Sequence, residues 1–143
     1  MQQLFLIAHI GGRGVAIESG QVESVVDIGA ITPTPRAAPH IRGLAALRSR
    51  VVTVIDTHLA LGLPERANAA TRAVITVVDG HHYAILVDSL EDVAAFEPTA
   101  LPAGLALHAG WRRAGCGAIE RDGEPLLVID LTALLPGPTA NAA

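Results

Sequence analysis

The chain has 143 residues, which suits one domain with a sizeable core; half are hydrophobic and 3% aromatic, so Ile, Val, Leu and Ala must fill that core. The formal charge of −4, without a Lys/Arg cluster, argues against a nucleic-acid partner. No apolar run reaches membrane-spanning length, and a single cysteine excludes an intrachain disulfide, so we expect a cytoplasmic protein without direct membrane insertion.

Strand signals dominate the first half of the chain. Residues 4–10 form an apolar run, Gly11-Gly12 is turn chemistry, and residues 15–17 resume the run, which predicts a hairpin. Further segments complete this half: a strand at 21–28, strands at 41–47 and 50–56 joined by a tight turn near Arg48, and a short helix or turn at 57–63.

The second half replays this order. Residues 74–78 lead into Asp79-Gly80, a pair favoured in tight hairpin turns, and residues 83–87 return. The remaining predicted segments are a loop at 97–108, strands at 113–120 and 126–130, a short helix at 131–135 and a frayed tail at 136–143.

The two halves are related in sequence. At an offset of 68 residues, residues 7–25 match residues 75–93 with six identities, among them Gly12/Gly80 and Glu23/Glu91. At an offset of 74, further pairs match: Gly43/Gly117, Val54/Val128, Ile55/Ile129, Asp56/Asp130 and Leu61/Leu135. We therefore predict a single all-β domain over 1–143, with repeat halves of roughly 3–63 and 72–135 that form small barrels sharing one hydrophobic core.

No pattern of catalytic or metal-ligating residues stands out. The six histidines lie at no recognised ligand spacing, and His81-His82 is best explained by a solvated turn. Asp56 and Asp130 each follow a buried strand and precede a helical turn, where Asp caps backbone N–H groups. We expect no catalytic site, no metal and no cofactor.

For several features the sequence leaves two explanations open. Arg48 is either a solvated turn residue or a binding residue, and Trp111 is either a core anchor or an interface anchor. The high apolar fraction reflects either an ordinary alanine-rich core or apolar patches left exposed for partners.

The run of residues 39–56, PHIRGLAALRSRVVTVID, resembles the signature of CheW-like domains, and the likeness extends over residues 4–135. It includes the segments AILVD at 84–88 and LVIDL at 127–131. Three positions depart from the family pattern: Ala46 stands for its Asn, Ser49 for its second Gly and Thr53 for its strand Pro.

The resemblance implies a fold of two SH3-like five-stranded barrels around a common core. It also implies a non-catalytic adaptor that couples the cytoplasmic tips of methyl-accepting chemoreceptors to the regulatory domain of a CheA-type histidine kinase, recruited to arrays at the inner face of the membrane. Carried over by position, receptor-binding residues fall on Arg48, Val22, Leu90 and Val93, and kinase-binding residues on Arg42 and Gly43.

Two hypotheses from other classes remain beside the adaptor. The first is a small β-barrel protein that binds a metabolite or a metal through its histidines. The second is a self-associating structural domain.

Overall fold

The computed structural model describes residues 2–34, 40–47, 50–64, 71–101, 107 and 109–135. Its ten strands are β1 Gln3–Ile10, β2 Arg13–Glu18, β3 Ser24–Asp27, β4 Ile41–Leu47, β5 Arg50–Ile55, β6 Arg72–Val78, β7 His81–Leu86, β8 Ser89–Phe96, β9 Gly115–Arg121 and β10 Glu124–Ile129. The helical segments are α1 Thr57–Ala60, α2 Ala109–Ala114 and the 3₁₀ helices Ser19–Gln21 and Leu131–Leu134.

The strands form two five-stranded sheets. We call them the β1 barrel, with strand order β8-β1-β2-β10-β9, and the β6 barrel, with order β3-β6-β7-β5-β4. In each, two hairpins meet through one parallel pair, β2 with β10 and β5 with β7. The predicted all-β fold of two five-stranded barrels is confirmed.

One repeat does not correspond to one barrel. The β1 barrel combines the first hairpin of the first repeat, β1-β2, with the last three strands of the second. The β6 barrel combines the β6-β7 hairpin with β3, β4 and β5. The repeats have therefore exchanged their first hairpins, and the chain must cross between barrels after β2 and again after β7.

Among the described residues, one isolated bridge closes each barrel, and its partners Leu44 and Ala118 occupy matched positions of the repeat. Thr32 exchanges two backbone hydrogen bonds of 2.8 Å with Leu44, and Thr99 exchanges bonds of 2.8 and 2.9 Å with Ala118. The bridge explains the repeated glycine next to it: a Cβ on Gly43 would lie 2.2 Å from the Thr32 carbonyl oxygen, and one on Gly117 would lie 2.9 Å from that of Thr99.

Three clusters of buried side chains fill the described part of the molecule. The largest lies between the barrels, where Leu6 and Ile17 of one sheet join Val74 and Ile85 of the other, and Trp111 belongs to it. Each barrel also has a small interior of its own. Trp111 is therefore a core anchor, with the Arg13 guanidinium 5.2 Å above its ring.

The turns and caps follow the sequence prediction. Asp79 and Gly80 have φ of 53° and 78°, and Gly11 and Gly12 have φ of 60° and 79°, as tight hairpin turns require. The Asp56 carboxylate accepts a hydrogen bond from the Leu59 backbone N–H. Asp130 caps the matching turn by accepting from the N–H of Thr132.

Other local predictions were wrong. Residues 109–114 form α2, so the strand predicted at 113–120 begins only at Gly115. The strand predicted at 21–28 shortens to β3, because a 3₁₀ helix occupies its start. Strand β8 was not predicted, because apolar and polar residues do not alternate along it. Three of its eight residues are half-buried and the other five are exposed.

Candidate interaction surface

Leu90 and Val93 lie on β8 at an edge of the β1 barrel. They are three residues apart, a spacing that puts side chains on opposite faces of a regular strand. A β-bulge corrects this, because Val93 pairs with Leu6 and Leu90 pairs with Ala8, leaving one residue of β1 opposite two of β8. Both side chains therefore share the face that carries Leu6 and Ala8 of the central core.

That face becomes solvent-exposed toward the end of the strand. Leu90 is half-buried against the central core, but Val93 is 56% exposed. Leu4, which neighbours Val93 diagonally across β1 and β8, is 52% exposed. Together Leu4 and Val93 give the β1 barrel an apolar strip along its edge.

Val22 lies in the crossover from β2 to β3. It is half-buried and packs against the central core, as its repeat partner Leu90 does. An open cleft of about 340 Å³ adjoins it, lined by Gly20, Gln21, Val22, Glu23, Thr76, Val77, Val78 and Thr132. The structure thus brings Leu90 and Val93 onto one strand and places Val22 on a separate element that packs on the same core.

Arg42 and Gly43 lie on β4, the edge strand of the other barrel. Arg42 is the extra residue of a bulge, because Ile41 pairs with Ile55 and Gly43 pairs with Val54. Its guanidinium lies 3.4 Å from the Asp56 carboxylate. Gly43 has φ of 144° and is buried beneath the closing bridge, so it shapes the backbone here.

Arg48 lies outside the described residues, between Leu47 of β4 and Arg50 of β5. The strands on either side expose a second apolar patch. Val51 is 62% exposed and Leu44 is 40% exposed, both facing outward on the β4-β5 hairpin. The described chain therefore has an ordinary core and also exposed apolar patches.

An ion cluster that we did not predict lies beside Arg48 in sequence. Arg50 donates to the Glu23 carboxylate at 2.7 Å, and His82 Nε2 lies 3.3 Å from the other Glu23 oxygen. His82 is half-buried within β7, so the prediction of a solvated turn is wrong for it, although His81 is exposed. The Glu23/Glu91 identity between repeats was the available signal.

The matching glutamate of the β1 barrel has a different partner. Arg121 of β9 donates two hydrogen bonds to Glu91, at 3.0 and 2.9 Å. The Arg121 hydrogen bonds lower the pKa of Glu91, against an opposing effect of burial, and the same pair raises the pKa of Arg121. Since β8 and β9 are the two edges of this sheet, the pair spans the seam of the barrel.

The histidines that the structure describes do not gather around a common point. No three His, Cys, Asp or Glu side chains within the described ranges are placed to hold a metal ion, and His108 lies outside those ranges. His58 is buried, with Nδ1 3.0 Å from the Pro64 carbonyl oxygen and Nε2 3.3 Å from the Asp88 carboxylate. Burial and the nearby Arg113 charge lower the pKa of His40.

Comparison with known proteins identifies the family to which this architecture belongs. The family model for the CheW-like domain matches residues 4–138. The chain belongs to the CheW-like domain family. This family is one of scaffold and adaptor domains that are generally non-catalytic, with protein partners in chemosensory arrays.

A solved structure agrees with the fold of this CheW-like domain. The chain is similar in structure to the scaffolding protein TtCheW from Thermoanaerobacter tengcongensis, with a TM-score of 0.82 and 20% sequence identity. The match covers 96% of this chain and 95% of that one. Comparison with curated proteins found no match. None of the helices in the described part of the chain has the length and apolar character to cross a bilayer.

Proposed function

We propose that this CheW-like domain is a cytoplasmic adaptor that couples the tips of methyl-accepting chemoreceptors to the regulatory domain of a CheA-type histidine kinase. The observation that carries the proposal is the family match over residues 4–138. The exposed apolar residues at the barrel edges support it, because patches of this kind are typical of protein-binding surfaces. In this role the protein acts at receptor arrays on the inner face of the membrane.

The receptor contact is assigned to Val22, Leu90, Val93 and Arg48. A receptor tip is a helical hairpin, and a helix face docks by laying apolar side chains into an apolar groove. Leu90 and Val93 share one face of β8, and Val22 borders an open cleft, so each offers apolar surface to such a helix. Arg48 adds a guanidinium with several hydrogen-bond donors.

The kinase contact is assigned to the region of Arg42 and Gly43. These residues lie on the β6 barrel, whereas Leu90 and Val93 of the receptor contact lie on the β1 barrel, which leaves room for both partners at once. Individually modest contacts then gain strength from multivalency. Because Gly43 has no side chain, its part is to shape the bulge from which Arg42 projects.

Titration calorimetry with two purified partners tests the adaptor function. One partner is the regulatory domain of the cognate kinase, and the other is a receptor cytoplasmic fragment. We expect binding to each, and a ternary complex when all three are mixed. Failure to bind either partner at high micromolar concentration overturns the proposal.

Arg48→Glu tests the receptor assignment. We expect this reversal to weaken receptor binding at least tenfold, about the effect of one lost charge-assisted contact, with thermal stability nearly unchanged. Arg72→Glu, a reversal at another exposed arginine, is the matched control and should bind normally. If Arg48→Glu unfolds the protein, Arg48 is structural and its assignment to the receptor contact is wrong.

A further inference from the structure

The Glu23, Arg50 and His82 side chains form a cluster in which Arg50 contacts both of the other residues. A guanidinium carries only donors, so a hydrogen bond between Arg50 Nη1 and His82 Nε2 forms in the tautomer whose Nε2 accepts. Arg50 Nη1 also donates to Glu23 Oε1 at 2.7 Å. With Nε2 unprotonated, its 3.3 Å approach to Glu23 is not a hydrogen bond, and the arginine alone joins the other two groups.

The three residues come from separate parts of the β6 barrel. Arg50 begins β5 and pairs with Leu47, so it stands at the end of the β4-β5 hairpin. Glu23 directly follows Val22 in the crossover, and its backbone N–H donates to the Ile75 carbonyl at 2.7 Å. His82 lies on β7, in the middle of the sheet.

We propose that Glu23, Arg50 and His82 form a clamp that positions the end of the β4-β5 hairpin against the Val22 crossover. The inference rests on the proposed function in one respect: the clamp matters for receptor binding because Val22 directly precedes Glu23, and Arg48 precedes Arg50 by two residues, in the sequence. These three are positioning residues, which act through Val22 and Arg48.

The β1 barrel lacks this arrangement. Glu91 matches Glu23, but the positions of Arg50 and His82 are occupied there by Glu124 and Gly14. Glu91 instead bonds to Arg121 on the edge strand β9. The clamp is thus particular to the barrel whose hairpin contains Arg48.

NMR spectroscopy of the full chain tests the clamp without any partner. The ¹⁵N signal of His82 Nε2 should report an unprotonated nitrogen, and Glu23→Gln and His82→Ala should each shift the amide signals of Leu47, Arg50 and Val22. His82→Gln, which keeps an acceptor, should restore part of the shift. Asp27→Asn removes another exposed ion pair, with Arg72, and should leave those three signals unchanged.

Calorimetry with the receptor fragment then tests the consequence. We expect Glu23→Gln and His82→Ala to weaken binding about threefold, the range of an exposed ion pair, and Asp27→Asn to bind normally. Unchanged hairpin signals in Glu23→Gln overturn the clamp, and an equal loss of affinity in Asp27→Asn overturns its link to binding. If wild-type protein binds no fragment, the adaptor function fails while the NMR result still decides the clamp.

Discussion

The two barrels share one strand plan but fill their interiors differently. The β1 barrel holds Phe5 and Ile119 where the β6 barrel has Ala73 and Ala45 at the matching positions. In the β6 barrel, Leu86 and Leu47 occupy positions held by Glu18 and Arg121 in the β1 barrel. Large side chains therefore enter the two interiors from different positions of the repeat.

This difference shows what the repeat preserves. Interiors must reach a similar packing density, and that requirement fixes total side-chain volume more tightly than the identity at each position. The backbone is more demanding: the closing bridges need a glycine beside them, and the helical turns need a capping side chain. Gly43/Gly117 and Asp56/Asp130 are therefore identical. Substitutions at matched positions can separate the two kinds of constraint.

The largest expected effect is at the closing glycine of each barrel. Gly43→Ala introduces a Cβ 2.2 Å from the Thr32 oxygen at φ of 144°, and we expect a loss of about 3 kcal/mol in unfolding free energy. Gly117→Ala meets the Thr99 oxygen at 2.9 Å, for which we expect about 1 kcal/mol. Urea denaturation measures both losses. Equal losses would show that the two bridges are equally constrained.

The next effect concerns the two capping aspartates. Asp56→Ala removes a buried cap and leaves Arg42 without that carboxylate, so we expect a loss of about 2 kcal/mol. Asp130→Ala removes a more exposed cap and should cost about 1 kcal/mol. Thermal denaturation of both variants measures the difference, with Asp79→Asn, at a solvent-exposed turn, as the control. A larger loss in Asp130→Ala contradicts this ranking.

Much of the fold could be predicted from local sequence. Turn pairs such as Asp79-Gly80, the continuous apolar run of β5 and the capping position of Asp56 each carry their signal within a few residues. The duplicated architecture could be predicted for the same reason, because a repeat is found by comparing one short segment with another. The family resemblance then supplied the barrel type.

The hairpin exchange and the ion clusters could not be predicted in this way. Which sheet β1 and β2 join depends on packing between residues 100 or more positions apart, such as the pairing of Leu127 with Val15. The side of β8 on which Leu90 and Val93 lie depends on a bulge with no sequence signal of its own. Glu23, Arg50 and His82 likewise meet only after the sheet has formed.

A smaller effect should distinguish the matched valines of β3 and β8. Val25 is half-buried against the central core, whereas its repeat partner Val93 is mostly exposed. We expect Val25→Ala to cost about 1 kcal/mol and Val93→Ala less than about 0.5 kcal/mol in unfolding free energy. Calorimetry with the receptor fragment should show the reverse order for affinity. If Val93→Ala binds normally, the strip on β8 is not part of the receptor contact.

The smallest effect is at the seam of the β1 barrel, where Arg121 lowers the pKa of Glu91. A carboxylate whose pKa is lowered by folding contributes stability above its unfolded pKa, and this contribution is lost as the pH falls through the folded value. In Arg121→Gln the pKa of Glu91, followed by NMR titration, should rise toward its ordinary value. Arg72→Gln should leave it in place, because Arg72 pairs with Asp27 on the other barrel. An unchanged Glu91 pKa in Arg121→Gln would mean that this pair does not hold the seam in solution. Of the seam contacts described here, only the Thr99 bridge would then close the barrel.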